Sequence, residues 1–212
     1  MKIINTRSLA IADIKTITFS RFVDHRGYFT EHYRDSDFRN IETFSKLNNH
    51  FVQSNESYSR KNTVRGLHFQ WNPYMGKLVR TVHGHMIDMI LDIRIGSPYF
   101  GKIILYDMPC EYKDGMGEWI WIPPGFAHGN IFLKDTIIEY FCTGEYSPGN
   151  EAGISPLSSD IDWTLCDEKL EKIFFKIVNN NPLMTEKDRN GYSVNDWKNS
   201  QYSKYFKYSL TK

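Results

Sequence analysis

Two histidines stand beside glycines at the ends of strand-like runs. His68 lies in RGLHFQ (residues 65–70) and His128 in PPGFAHG (residues 123–129). Because sixty residues separate them, they do not form a ligand pair on one helix. A neutral imidazole near positive charge is suited to take a proton from carbon close to pH 7. These two histidines are therefore the first candidates for acid–base chemistry.

Length and charge limit the class of protein. The chain has 212 residues, 41% of them hydrophobic, so we expect one domain spanning residues 1–212 around one core. Its 26 basic residues (Lys and Arg) nearly cancel its 25 acidic ones (Asp and Glu), and we therefore expect no nucleic-acid partner. No run approaches the roughly 20 apolar residues of a membrane span. We therefore expect no membrane partner either.

Cysteine usage and the N-terminus predict the compartment. Cys110, Cys142 and Cys166 are odd in number and far apart, which predicts free thiols and not a disulfide framework or a zinc site. Residues 1–7 lack a signal-peptide pattern. Both features favour a cytoplasmic location.

Short strands separated by Gly, Pro, Asn and Asp clusters account for most of residues 16–163. In residues 87–94 (IDMILDIR), apolar and polar side chains alternate, which predicts a half-buried strand. Many antiparallel strands with few helical intervals are typical of an all-β sandwich or jelly roll. We also expect a short helix over residues 36–46, with Ser36 as its N-cap.

The pattern changes after residue 163. Residues 167–178 mix charged and apolar side chains in a way that predicts a short helix, and residues 179–182 (NNNP) end it. Residues 187–212 are polar and aromatic. We therefore expect residues 164–212 to be a helical or irregular appendage packed on a jelly-roll core of residues 16–163, not a second domain.

A series of motifs, in order along the chain, resembles the dTDP-4-dehydrorhamnose 3,5-epimerase family over about residues 17 to 190. The motifs are DHRGYFTE (24–31), FVQSN (51–55) with Ser57 and Ser59, RGLHFQ (65–70), KLVR (77–80), DIR (92–94), Ser97-Pro98 with Phe100-Gly101, WIPPGFAHG (121–129), Tyr140, EYSP (145–148), IDW (161–163) and TEKD (185–188). One such motif would be weak, but the ordered series is specific.

The resemblance implies a cupin-type jelly-roll barrel with short helices, which forms a homodimer with shared active sites. It implies an epimerase, without cofactor or metal, that inverts C3, C5 or both in a nucleotide-linked 4-keto-6-deoxy sugar. Such an enzyme serves deoxysugar, capsule or lipopolysaccharide biosynthesis. The hydrogens on C3 and C5 flank the C4 ketone, so removal of either gives an enolate.

The resemblance also assigns four catalytic residues. His68 resembles the base, and Asp188 the carboxylate that orients it. Lys77 corresponds to the residue that stabilises the enolate. Tyr140 corresponds to the acid that returns a proton on the opposite face.

Substrate-binding residues carry over in the same way. Arg65 and Arg26 correspond to residues that meet the diphosphate, where a guanidinium fork is favoured. The Arg26 segment of the family reaches into the neighbouring subunit's site. The other pocket candidates are Glu31, Gln53, Asn55, His128 and Tyr146.

Two motifs have rival explanations. Thr185 and Asp188 have the spacing of a helix cap, in which the carboxylate would only stabilise a first turn. His83 and His85 have the H-x-H spacing of metal-binding cupins. Those cupins have a Glu a few residues further on, and MIDM (residues 86–89) follows here instead, so we expect no metal site.

Three segments depart from the family pattern. Met75-Gly76 stands where a pair such as Gln-Ala is common, Asn130 follows Ala-His-Gly where an aromatic is usual, and residues 155–159 (SPLSS) replace Trp-Asn-Asp-Pro. The substrate therefore stays open between dTDP-4-dehydro-6-deoxyglucose and a GDP-linked 6-deoxy-4-keto heptose. The alternative functions are a metal-dependent cupin enzyme and a non-catalytic nucleotide-sugar-binding cupin.

Overall fold

A computed structural model of the chain describes residues 2–45, 51–112 and 115–210. The strands in these ranges are β1 Ile3–Ser8, β2 Lys15–Ser20, β3 Phe22–Asp24, β4 Gly27–Phe29, β5 Gln53–Ser59, β6 Val64–Gln70, β7 Lys77–His83, β8 His85–Asp92, β9 Ile103–Pro109, β10 Met116–Ile122, β11 Phe126–Phe132, β12 Thr136–Cys142 and β13 Glu151–Gly153. The helices are α1 Asp35–Arg39, α2 Glu42–Ser45, α3 Glu168–Val178, α4 Glu186–Arg189 and α5 Val194–Asn199, and 3₁₀ turns occupy Ser203–Tyr205 and Tyr208–Leu210. Across the described residues, none of these helices has the length and apolar character that crossing a membrane requires.

Two antiparallel sheets form the body of the protein. The six-stranded sheet has the order β1-β2-β10-β7-β12-β5, and the five-stranded sheet has the order β13-β6-β11-β8-β9. Strand β1 lies ahead of residue 16, where we expected the core to begin, and it pairs with β2. Strands β3 and β4 form a separate hairpin. The prediction of an all-β, cupin-type jelly roll with short helices is confirmed.

Apolar side chains from both sheets meet inside the barrel. Val79 and Ile120 of the six-stranded sheet belong to the same buried cluster as Met86, Ile90 and Phe132 of the five-stranded sheet. Fully burying one side chain of this size stabilises the fold by about 1.5–3 kcal/mol. This cluster fixes the separation of the two walls that carry the polar residues described below.

Strand β8 corrects the prediction of a half-buried strand, because both of its faces are buried. Ile87, Met89 and Leu91, together with Ile93 just after the strand, face outward and pack with the C-terminal segment. Asp88, Asp92 and Arg94 are fully buried on the opposite face. Arg94 Nη2 donates to Asp92 Oδ2 at 2.6 Å, so this charge is paired. The alternation of apolar and polar residues separated the two faces of the strand correctly. It could not show that other parts of the protein cover both faces.

The C-terminal helices cover the outer face of the five-stranded sheet, as an appendage on the barrel. Phe174 of α3 and Trp197 of α5 join the cluster that includes Leu67 of β6. The indole Nε1 of Trp197 donates to the carbonyl oxygen of Ile93 at 3.0 Å. Helix α4, which carries Asp188, lies against β6. Just ahead of α4, the carbonyl oxygen of Leu183 accepts from the Val64 backbone N–H at 2.9 Å.

The short N-terminal helices differ from the expected helix over residues 36–46. Helix α1 begins at Asp35, and Arg34 is its N-cap with an extended backbone and no side-chain cap. Ser36 lies inside the helix, so the prediction that it is the N-cap was wrong. Acidic residues in the first turn, Asp35 and Asp37, interact favourably with the helix dipole instead. The predicted end at Lys46 lies outside the described residues.

Candidate active site

A pocket of about 370 Å³ opens between the two sheets. Its lining residues are Gln53, Asn55, His68, Phe69, Gln70, Met75, Lys77, Tyr140, Cys142, Tyr146 and Glu151. Six of the predicted site residues are therefore brought together here.

Strand register explains the wall contributed by the six-stranded sheet. Residues directly opposite each other in antiparallel strands share a face. Tyr140 of β12 lies opposite Asn55 of β5, and Cys142 lies opposite both Gln53 of β5 and Lys77 of β7. The Tyr140 hydroxyl, the amides of Asn55 and Gln53 and the Lys77 ammonium group therefore lie on the same face of this sheet.

Close approach of two glycines shapes the other wall. His68 of β6 is paired in register with His128 of β11, and the ladder is irregular between His128 and Asn130. Gly66 has a φ of +105°, and a Cβ there would lie 2.6 Å from Gly129 Cα. Only glycine fits such a separation, so the motifs around the two histidines are needed to bring their strands together.

His68 and Asp188 form an ion-pair geometry at the pocket. His68 Nε2 lies 2.6 Å from Asp188 Oδ1, and the two side chains are 37% and 5% exposed, respectively. Burial raises the pKa of Asp188, but the hydrogen bond from His68, with smaller contributions from Thr185 and the Gly66 backbone, outweighs it and lowers the pKa below its usual value. The carboxylate therefore stays ionised and can orient the imidazole.

The helix-cap explanation of Thr185 and Asp188 is also partly correct. The Thr185 hydroxyl accepts from the backbone N–H of Asp188 at 3.2 Å and caps α4. The cap thus uses the Asp188 backbone, which leaves the carboxylate for His68. Both functions coexist in one turn of helix.

Lys77 projects from β7 into the pocket. Burial lowers the pKa of its ammonium group, while Cys142, Asp88 and Glu151 oppose that effect. Within the part of the chain that the structure describes, Lys77 has no carboxylate oxygen within ion-pairing distance. Its charge is therefore free to meet a negative charge that develops on a bound molecule.

Tyr140 faces the same space from β12. Burial raises the pKa of its hydroxyl, Cys142 adds to the effect, and Arg65 opposes it. The group is consequently protonated at neutral pH and can donate a proton or a hydrogen bond.

His128 lies deeper than the pocket surface. It is buried, and its Nε2 lies 2.6 Å from Asp88 Oδ1. Burial lowers the pKa of His128 and Asp88 opposes this, while Lys77 and His68 lower the pKa further. His128 thus lies behind the lining residues and is tied to a second carboxylate.

The predicted binding residues Gln53, Asn55 and Tyr146 form one hydrogen-bonded edge of the pocket. Gln53 Nε2 donates to Asn55 Oδ1 at 3.0 Å, and Gln53 Oε1 accepts from the Tyr146 backbone N–H at 2.8 Å. The Tyr146 ring is exposed, and its hydroxyl donates to Glu151 Oε1 at 3.0 Å. An exposed aromatic ring at a pocket entrance can stack on a planar ligand group.

Arg65 lines a neighbouring cleft of about 430 Å³, which Asp188 also lines. Its Nε donates to the Ser59 hydroxyl at 2.8 Å. The guanidinium group therefore lies beside the pocket and can reach a charged extension of a molecule bound in it.

Two predicted residues lie away from the pocket within this chain. Arg26 is in the turn between β3 and β4, where its exposed guanidinium pairs with Asp24 at 2.6 Å. Glu31 pairs with Arg34, also at 2.6 Å. Neither residue lines the pocket of its own chain.

Sequence reasoning missed Glu151 and its partner Lys187. Lys187 Nζ lies 2.9 Å from Glu151 Oε1, and Glu151 lies opposite Gln70 in the β13–β6 ladder. Lys187 precedes Asp188, which was the one signal that could have indicated it. Glu151 had no comparable signal, because β13 is three residues long.

The H-x-H motif forms a different contact. His85 Nε2 lies 2.6 Å from Asp107 Oδ1 on the neighbouring strand β9. In residues 2–45, 51–112 and 115–210, no three His, Cys, Asp or Glu side chains are grouped as metal ligands.

Comparisons with known proteins identify the family. The profile of the dTDP-4-dehydrorhamnose 3,5-epimerase family matches residues 8–196. The dTDP-4-dehydrorhamnose 3,5-epimerase of Shigella flexneri is 36% identical over 205 residues, which cover 92% of this chain and 97% of that protein.

Solved structures give the same result. The dTDP-6-deoxy-D-glucose-3,5-epimerase of Legionella pneumophila, in complex with dTDP-4-keto-L-rhamnose, has a TM-score of 0.75 and 30% identity, covering 90% of this chain and 93% of that one. The rmlC epimerase of Mycobacterium tuberculosis has a TM-score of 0.79 and 29% identity, covering 98% of this chain and 96% of that one. The chain therefore belongs to the dTDP-4-dehydrorhamnose 3,5-epimerase family, whose members are cofactor-independent isomerases that epimerise nucleotide-linked 4-keto-6-deoxy sugars in deoxysugar biosynthesis.

Proposed function

We propose that this protein epimerises a dTDP-linked 4-keto-6-deoxy sugar, with His68 as the base that removes a proton beside the ketone. The observation that carries the proposal is the 2.6 Å contact between His68 and the buried carboxylate of Asp188. A carboxylate in this position holds the imidazole in one orientation and stabilises the imidazolium that forms when the proton arrives.

Lys77 stabilises the enolate in this account. Removal of a proton from C3 or C5 moves negative charge onto the C4 oxygen. An ammonium group without an ion-pair partner among the described residues, already fixed on a strand, needs little reorganisation to meet that charge. The low-dielectric surroundings that lower its pKa also strengthen the attraction.

Tyr140 returns the proton. It lies on the six-stranded sheet, whereas His68 lies on the five-stranded sheet, so a sugar ring between them meets the two groups from different walls. Inversion requires delivery to the face opposite the one that lost its proton. Because burial raises the pKa of the Tyr140 hydroxyl, this group stays protonated until it transfers its proton to the enolate carbon.

The diphosphate and the nucleoside extend toward Arg65 and Tyr146. A guanidinium group binds phosphate oxygens with paired, charge-assisted hydrogen bonds, and an exposed tyrosine ring can stack on a base. The Legionella pneumophila relative holds dTDP-4-keto-L-rhamnose. We therefore favour a dTDP-linked hexose over a GDP-linked heptose.

We further propose a cytoplasmic homodimer with shared active sites. The β3–β4 hairpin exposes Phe22, Val23, Tyr28 and Phe29, an apolar surface that a second copy would cover. Its turn carries the exposed Arg26. If a second copy covers this hairpin, Arg26 would reach the diphosphate of a substrate bound in that copy's site. The cytoplasmic location rests on the three free thiols.

Isotope exchange tests the proposed function. Incubation with dTDP-4-dehydro-6-deoxyglucose in D₂O should place carbon-bound deuterium only at C3, C5 or both, because the C4 ketone acidifies only the hydrogens on these two carbons. The GDP-linked 6-deoxy-4-keto heptose serves as the comparison substrate and should exchange more slowly. Absence of deuterium in every keto sugar tested, with folded protein, would refute the proposal.

A further inference from the structure

A buried carboxylate lies behind the pocket, and the mechanism above gives it no role. Asp88 is fully buried, and its Oδ1 accepts hydrogen bonds from His128 Nε2 at 2.6 Å and from the amide of Asn130. Within the described residues, Asp88 Oδ2 has no hydrogen-bond partner. Burying a carboxylate oxygen in this way costs free energy, so its position calls for an explanation.

Asn130 is placed to hold that carboxylate. It lies directly opposite Asp88 in the β11–β8 ladder and is 5% exposed. His128 is two residues earlier on the same strand, so both side chains project from one face onto the same oxygen. Asn130 Nδ2 also contacts Met86 Sδ at 3.4 Å, which further restricts the amide.

Asp88 also influences the active-site ammonium through space. Cys142 of β12, Asp88 of β8 and Glu151 of β13 are the groups that raise the pKa of Lys77 against the effect of burial. No ion pair within 4.0 Å joins Asp88 to Lys77 among the described residues. The carboxylate therefore supports the charge on Lys77 without immobilising it.

We propose that Asn130 is a positioning residue of the reaction, because its amide fixes Asp88, and Asp88 in turn fixes the orientation of His128. This inference rests on the proposed function, since Lys77 matters to catalysis only if an enolate forms. The two donors on Oδ1 hold the carboxylate in one rotamer, and the proton of a neutral His128 then lies on Nε2.

Kinetics of four variants test the proposal. Asn130→Leu removes the donor and keeps the branching at Cγ, and Asp88→Asn removes the charge. Each should lower kcat roughly 10-fold or more with little change in KM, as expected when catalytic groups lose their positions. Because Asn130 acts through Asp88, the double variant should be no slower than Asp88→Asn alone. Asp107→Asn is the matched control, since Asp107 forms the same 2.6 Å contact with His85 outside the pocket.

The pH profile separates a positioning role from a structural one. Asp88→Asn should move the alkaline limb of kcat to lower pH, because Lys77 loses one of the three groups that raise its pKa. Asp107→Asn should leave that limb unchanged. An unshifted limb in Asp88→Asn, with normal kcat in Asn130→Leu, would overturn the proposal. Additive losses in the double variant would also overturn it.

A spectroscopic measurement does not depend on turnover. The imidazole ¹⁵N–¹H signals of His128 should report an Nε2-bound proton in the unmodified protein, and Asn130→Leu should shift that signal while Asp107→Asn does not. An unchanged His128 signal in Asn130→Leu contradicts the proposal even if Asp88→Asn fails to fold. Failure of the proposed function would appear separately, as absence of turnover by the unmodified protein.

Discussion

Asp188 Oδ1 lies 2.6 Å from His68 Nε2, although 120 residues separate the two in sequence. His68 sits on strand β6 and Asp188 in helix α4, which contacts β6. Backbone hydrogen bonds join Leu183, just ahead of α4, to Asn62 and Val64 at the start of β6. In the proposed mechanism the appendage therefore contributes to the active site, because it supplies the carboxylate that would orient the base.

Replacing Asp188 by Asn tests this contact. The kcat should fall on the order of 10²-fold, with a smaller change in KM, because the amide cannot stabilise an imidazolium. Normal kinetics with a lower melting temperature would instead mean that the contact between Asp188 and His68 only stabilises the fold.

The same residue makes a contribution to stability that depends on pH. The folded-state pKa of Asp188 is lowered, so its stabilising contribution is present above the unfolded value of about 3.9 and is lost as pH falls through the folded value. The melting temperatures of the unmodified protein and of Asp188→Asn should therefore differ most near neutral pH and converge in acid.

Lys77→Met removes the charge that faces the enolate and keeps most of the side-chain volume. We expect kcat to fall roughly 10²- to 10³-fold, the range seen when one preorganised stabilising group is lost. Lys102→Met is the control, because Lys102 pairs with Asp162 outside the pocket. Equal effects of the two substitutions would point to stability and not to catalysis.

Tyr140→Phe should separate two observables. Proton removal by His68 continues, so deuterium from solvent still enters the substrate, while the inverted product forms much more slowly. Parallel measurement of exchange by mass and of product configuration by NMR checks this. If exchange and inversion fall together, Tyr140 only positions the sugar.

Mixing two inactive variants tests the shared site. Arg26→Ala and His68→Ala chains should form heterodimers in which one of the two sites has both residues, so activity returns in part. The fraction of heterodimer is measured by native mass spectrometry. No recovery in a sample rich in heterodimer would mean that each site is built from one chain.

The sequence motifs correctly predicted the pocket residues that lie on strands. His68 and Lys77 lie in motifs that resemble the family, Tyr140 corresponds to it by position, and all three line the pocket. Alternation in residues 87–94 was misread because a polar face toward the barrel interior has the same pattern as a polar face toward water. The two cases differ in the three-dimensional structure, where the C-terminal segment covers the apolar face of the strand.

Contacts between distant segments were less accessible to sequence reasoning. The pairing of Glu151 with Lys187 joins a three-residue strand to helix α4, and neither segment has a pattern that indicates the other. The Asp88 contacts were hidden for the same reason, because Asn130 and His128 reach Asp88 only through the β11–β8 register. Arg26 and Glu31 lie outside the pocket of their own chain, and a role for them stays a prediction about the dimer.

The most direct test of the account is solvent exchange by His68→Asn. In D₂O with dTDP-4-dehydro-6-deoxyglucose, the unmodified protein should introduce deuterium beside the ketone. The variant should introduce it slower by roughly 10²- to 10⁴-fold while keeping its fold and nucleotide affinity, because only the base has been removed. Deuterium entering the variant's substrate at a near-normal rate would contradict the assignment of His68 and with it the proposed mechanism.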